Sequence, residues 1–268
     1  MNRRSALLVL PLVMGASRAL AHDTWVLPAA HAVPEGSTIS LRATSGMGFP
    51  ALEFAIDPAR IETAKIRLAG RTLPLERLSK GKGALRLSAT PRGHGIAAVW
   101  LETKVKSIDL KPDQVKEYLD EIGAPVSVLE EWKAAGAAGR PARWREAYVK
   151  HAKTFVAVGD ADADGSWAEP AGMRLEIVPG SNPAKWSAGS KLSVRLLRDG
   201  RPLAGFPVGM VEAGEKTGVL QTTDAEGSVS FTPGKKGWIL IRATDLHRSD
   251  TPDADWKSDF STMTAWVE

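Results

Sequence analysis

Strand-length segments in which apolar and polar residues alternate, each closed by Gly or Pro, restrict this chain to a mainly β fold. Ser37-Thr38-Ile39-Ser40-Leu41-Arg42 sets Ile39 and Leu41 between polar neighbours, the period of a half-buried strand. Leu85-Arg86-Leu87-Ser88 repeats the pattern, and Ala97-Ala98-Val99-Trp100-Leu101 reads as a more fully buried strand. The pattern then changes. Over Lys111–Gly139, Pro112 suits a first helical turn, and Val115, Tyr118, Leu119 and Ile122 recur at helical spacing. Gly123-Ala124-Pro125 breaks that helix, and Val126–Ala135 supplies a second around Val128, Leu129 and Trp132. Pro141–His151 is expected to extend this insertion, giving a helical segment over about 111–151.

Asp160–Gly172 is polar and rich in Gly, Asp and Pro, and reads as a linker. Beyond it, Leu175–Val178, Lys191–Leu197, Val208–Val211, Val229–Phe231, Trp238–Ala243 and Ser261–Val267 form a succession of short strands. Asp199-Gly200 and Asp224-Ala225-Glu226-Gly227 mark turns between them. The expected layout is an N-terminal β domain over 22–159 with the helical insertion, a linker at 160–172, and an immunoglobulin-like β-sandwich over 173–268.

Residues 1–21 carry the three parts of a cleavable signal peptide: Arg3 and Arg4, the apolar stretch Ala6–Ala16, and the small-x-small site Ala19-Leu20-Ala21. The apolar stretch is shorter than the roughly 20 residues a membrane helix needs, so a periplasmic protein with no span after cleavage is expected. Removal of Arg3, Arg4 and Arg18 lowers Lys+Arg from 35 to 32 against 31 acidic residues, a net charge of +1. The basic residues form no block or stripe, which argues against nucleic acid as a partner. The chain has no Cys, which excludes thiolate metal sites and Cys nucleophiles. There is no G-x-S-x-G, H-E-x-x-H, P-loop or G-x-G-x-x-G, so no hydrolase, kinase or dehydrogenase is indicated.

Cleavage after Ala21 would make His22 the first residue, with its α-amine and imidazole placed to chelate one metal ion. The amine's reference pKa of about 7.7–8.0 lets a metal displace its proton near neutral pH, and such a nitrogen set favours Cu(II) or Ni(II). A second imidazole would complete a three-nitrogen brace. The candidates are His31, His94 in a Gly-flanked turn, His151, read as a helix end, and His247 at a strand end. Asp23 and Asp245 are placed to orient an imidazole from the second coordination sphere, and Trp25 and Trp256 to wall the site. Asp160-Ala161-Asp162-Ala163-Asp164-Gly165 opens like a calcium loop, but residue 171, where the bidentate acid belongs, is Ala.

His22-Asp23-Thr24-Trp25 with Pro28 resembles the His-Asp-Phe-Trp opening of a family of exported proteins of unknown function, whose members are described as periplasmic components of nickel or cobalt transport systems. The resemblance continues through Gly48-Phe49-Pro50, Asp57-Pro58-Ala59-Arg60-Ile61-Glu62, Tyr118-Leu119, and Tyr148 with Ala152-Lys153-Thr154. It extends over Leu175–Pro179 with Asn182-Pro183, Asp199–Leu203, Thr223–Gly227, and the stretch from His247 to Trp256 and Ser258. Thr24 departs from the aromatic usual at that position, and His151 from the usual residue before Ala152. The resemblance implies that His22 and His247 hold one ion of nickel, cobalt or copper. The expected function is a non-enzymatic metal-binding accessory protein for uptake or homeostasis, partnered by a membrane metal transporter. The competing expectations are a copper-dependent oxidative enzyme using a terminal-His brace, and a structural β-sandwich.

Overall fold

The computed structural model describes residues 22–137 and 144–268, so the expected signal peptide lies outside the described residues. The N-terminal part contains β1 (Asp23–Pro28), β2 (Ala32–Val33), β3 (Ile39–Gly46), β4 (Phe54–Ala55), β5 (Ile61–Leu68), β6 (Arg71–Pro74), β7 (Glu76–Lys80), β8 (Leu85–Ala89), β9 (Gly95–Thr103) and β10 (Lys106–Leu110). Helices α1 (Pro112–Glu121) and α2 (Val126–Ala137) follow, then the 15-residue β11 (Trp144–Val158). The remaining strands are β12 (Leu175–Pro179), β13 (Leu192–Arg198), β14 (Arg201–Pro202), β15 (Pro207–Glu212), β16 (Val219–Thr222), β17 (Ser228–Phe231), β18 (Gly237–Arg248) and β19 (Trp256–Val267).

These strands form three sheets. One runs β1-β3-β8-β7 with β4 beside β3; a second runs β12-β13-β14 with β17 beside β13. Between them lies a ten-stranded sheet ordered β16-β15-β18-β19-β11-β9-β5-β6, which β2 and β10 join through β11. Side chains alternate across a strand, and both faces of this central sheet are covered. On one face Ile239, Ile241, Met263 and Ala265 meet Leu175, Ile177, Val194 and Leu196 in the core of the C-terminal sandwich. On the other face Val99, Leu101, Ala152 and Val156 pack against Val26, Leu41 and Leu87. The fold is mainly β.

Two features depart from the expected layout. Residues 144–151 are not helical. They open β11, pairing with β10 from Lys106↔Tyr148 to Leu110↔Trp144 and with β19 from Glu146↔Trp256 onward. The helical insertion therefore ends before residue 144 and packs its apolar side on Trp144, Trp256 and Phe260. The polar residues of β11 hid its period, because Arg145, Lys150, His151 and Lys153 each find a charged or carbonyl partner far away in sequence. The second departure concerns the stretch 160–172. The ten-stranded sheet crosses it, setting β19 beside β11, and Ile96, Ala98 and Phe155 contribute to the core of the C-terminal sandwich. The segment itself is pinned by Arg67, whose guanidinium donates to the carbonyls of Glu169 (2.9 Å) and Pro170 (3.1 Å).

Candidate functional site

The start of β1 is held by threonines of the central sheet. β1 is an edge strand paired to β3, with Asp23 opposite Gly46. Its outer carbonyls are met by hydroxyls from below: Thr262 Oγ1 donates to the Thr24 carbonyl, and Thr264 Oγ1 to the Val26 carbonyl at 2.6 Å. These donors satisfy backbone acceptors that a buried strand edge would otherwise leave bare. Lys150 Nζ likewise donates to the His22 carbonyl. His22 is therefore fixed at the corner where the two sheets meet.

Its imidazole lies 5.2 Å, centroid to centroid, from the exposed ring of Phe54 and lines a cleft of about 300 Å³. Arg60, Lys106, Tyr148, Lys150 and Asp57 share that cleft, with Thr24 Oγ1 and Ser45 Oγ 2.7 Å apart on its wall. Burial, and then the Lys150 ammonium, hold the imidazole below the usual histidine range, against the weaker pull of Glu53 and Asp23. The neutral form thus favoured is the one that ligates metals.

His247 is not brought to this cleft. β18 and β19 pair without a register break from Gly237↔Val267 to Arg248↔Trp256, so side-chain direction can be counted along them. Ile241, Ala243, Asp245 and His247 share the face of the C-terminal sandwich. Thr262 and Thr264, which carry β1, lie on the opposite face. His247 Nε2 is 3.3 Å from Arg174 Nη2, and Arg174 Nε lies 3.2 Å from Asp259 on that same sandwich side. The expected His22–His247 brace is therefore corrected: the central sheet stands between the two rings.

The other candidates are engaged elsewhere. Asp23 takes Arg242 Nη1 at 2.5 Å, and Asp245 pairs with Arg198, with His247 Nδ1 at 3.9 Å, beyond hydrogen-bond reach. Neither carboxylate orients a ligating imidazole in the expected way. His94 pairs with Glu35 at 3.0 Å and accepts from the Asp160 amide, and His31 stacks on Trp266 at 4.6 Å. Trp25 (1% exposed) packs edge-on to Phe49, and Trp256 stacks on Trp144; both are core. In the calcium-like loop, Asp160 caps Asp162, Asp162 meets Lys185, and Asp164 binds the Ala69 amide and Ser166. Among the described residues no three His, Asp or Glu side chains are grouped to hold a metal ion.

Two features escaped sequence reasoning. The cations of the His22 cleft come from three separated segments, Arg60, Lys106 and Lys150, and only the β10–β11 pairing sets Lys106 opposite Tyr148. The second is His151, 2% exposed, which bridges Glu102 (Nδ1, 3.0 Å) and Asp259 (Nε2, 2.9 Å). Burial alone would lower its pKa, but the hydrogen bonds and charges of Asp259 and Glu102 outweigh burial and raise it. A second cleft of about 350 Å³ adjoins the His22 corner, lined by Asp23, Arg242 and Phe260 with Val219 and Leu220 at its lip. No helix among the described residues is long and apolar enough to cross a membrane.

Comparison with known proteins places a family match across most of the chain: a domain of unknown function, DUF4198, matches residues 19–245. No curated protein matches. Among solved structures, the D0-D1 domain of intimin is similar at 11% identity and a TM-score of 0.22, over 91% of this chain and 98% of that one. A tetra-tandem repeat from the extending region of a large adhesion protein is similar at 13% identity and a TM-score of 0.22, over 92% of this chain and 50% of that one.

Proposed function

This chain belongs to the DUF4198 family, and on that footing we propose that it is an exported, non-enzymatic metal-binding accessory protein whose ligating residue is His22. In this reading the chain is trimmed after Ala21 and acts in the periplasm. His22 then offers an amine and an imidazole to one late first-row ion, nickel, cobalt or copper, for transfer to a membrane transporter. The observation that carries the reading is the fixed position of His22: its backbone is tied down by Lys150, while its ring lines an open cleft. Pre-positioning of this kind removes much of the ordering cost of binding. The donor set fits in part, with two nitrogens at one residue and the carboxylates of Asp23 and Glu53 near enough to act electrostatically on the ring. His247 takes no part.

Titration calorimetry of the chain beginning at His22 with Ni(II), Co(II), Cu(II) and Zn(II) tests this, beside a form carrying one extra residue before His22. Binding of one ion that weakens at least about tenfold in the extended form is expected, since the added peptide bond removes the amine as a ligand. Equal affinities in the two forms would refute the terminal chelate and leave the structural β-sandwich.

A further inference from the structure

The lining of the His22 cleft is electropositive, which weakens the hold on a bare cation. Arg60, Lys106 and Lys150 line it with one carboxylate, Asp57, while Asp23 and Glu53 act on the His22 ring from beyond the lining. Asp57 is already committed: it accepts from the Ala59 amide at 2.9 Å and lies 4.0 Å from Lys80. Lys150 and Arg60 both stand 5.6 Å from the Tyr148 ring, so the two positive groups converge on one aromatic wall. Strand pairing brings Lys106 onto the same wall opposite Tyr148. Hydroxyl groups of Thr24, Ser45 and Tyr148 line the remainder. Converging cations with hydroxyl donors form the chemistry that recognises carboxylate or phosphate oxygens.

We propose that this cleft binds a small multivalent oxyanion, and that the metal ion enters as its complex with that anion. The inference rests on the reading of His22 as the metal ligand and extends it to the form of the cargo. His22 supplies two donors, and no third His, Asp or Glu is grouped with it among the described residues. Oxygen atoms of the anion would fill the coordination positions the protein leaves open. Its remaining negative charge would be met by Arg60, Lys106 and Lys150, which would otherwise repel a divalent ion. The cleft thereby holds a complexed metal more tightly than the free aquo ion.

The probes are citrate alone, Ni(II) alone and the two together, titrated into the chain beginning at His22 and into its Arg60→Gln/Lys106→Gln variant. Lys106 is exposed, so Lys106→Gln alone serves as the form whose folding is not at issue. Citrate alone is expected to bind the native cleft, about tenfold more weakly in the double variant and less tightly as salt rises. The citrate-loaded protein is expected to take up Ni(II) with the citrate retained, one of each per chain by native mass spectrometry. Absence of citrate binding, or binding unchanged by both variants, overturns the anion site and leaves Ni(II) binding at His22 standing. Citrate that binds but is expelled when Ni(II) enters overturns the complexed-cargo step. Citrate binding without any Ni(II) uptake refutes the metal reading instead, so the two failures are distinguishable.

Discussion

Lys153 and Glu176 form an ion pair with side chains 2% and 1% exposed, joining β11 of the central sheet to β12 of the C-terminal sandwich. The two partners are unequally supported. Glu176 also accepts from the amides of Ala171 (2.6 Å), Gly172 (2.9 Å) and Met173 (3.1 Å), whereas among the described residues the Lys153 ammonium donates to Glu176 alone. Burial pushes the Lys153 amine down, against the pull of Glu176.

That imbalance sets an order of damage. Glu176→Leu strands a buried ammonium and three amides, and is expected to cost at least about 3–5 kcal/mol, the range for breaking a buried pair from one side. Lys153→Met leaves Glu176 with its three amide donors and is expected to cost less. Urea unfolding of both variants measures the difference, and a costlier Lys153→Met would show that the amides do not carry the carboxylate.

His151 makes stability depend on pH in a stated direction. Its folded pKa is raised above the reference of 6.5, so the stabilisation from the imidazolium is complete below about pH 6.5 and is lost as pH rises through the raised value. The groups facing it are Glu102 on β9 and Asp259 on β19, the latter also held by Arg174 before β12. A neutral ring donates to only one of the two carboxylates. The difference in melting temperature between native protein and His151→Gln is therefore expected to be larger at pH 6 than at pH 9. A gap that does not change with pH would mean that folding leaves the His151 pKa where it is in the unfolded chain.

Local patterns were legible where one face of a strand is apolar. The alternation around Ile39 and Leu41 became β3, Leu85 and Leu87 became β8, and the Asp199-Gly200 turn links β13 to β14, both residues at positive φ. The opening of β11 was not legible, because its polar residues are satisfied by residues remote in sequence: His151 by Asp259 and Arg145 by Asp255. The candidate site divided in the same way. His22 stands out from its place after Ala19-Leu20-Ala21, a local signal. Its distance from His247, and the company of Arg60 and Lys106, depend on sheet order, which no spacing in the sequence encodes.

Gly227 and Gly189 separate backbone strain from crowding. Both adopt positive φ, +70° and +76°. A Cβ at Gly189 meets nothing within 4 Å, whereas at Gly227 it would stand 2.7 Å from the Leu196 carbonyl oxygen and 2.9 Å from the Leu203 amide. Gly189→Ala is expected to cost about 1–2 kcal/mol, the penalty for an L residue in the left-handed region. Gly227→Ala adds a clash with backbone that cannot rotate away and should cost clearly more, read as a larger drop in the urea midpoint. Equal costs would show that the turn after β16 yields.

The separation of His22 from His247 yields the sharpest contrast in metal affinity. With the central sheet between them, no rotamer of His247 reaches an ion held at His22, and the His247 ring is already set against Arg174. His247→Ala is therefore expected to leave Ni(II) affinity within about threefold of native, below the tenfold that corresponds to 1.4 kcal/mol. His22→Ala keeps the amine but removes the imidazole, and should weaken binding at least about tenfold, since the two nitrogens act as one chelate. Circular dichroism confirms that both variants are folded, as each ring is partly exposed and neither enters a core. Equal losses in the two variants would require an ion reached from both faces of the sheet, through a rearrangement of β1 that breaks the Thr262 and Thr264 hydrogen bonds.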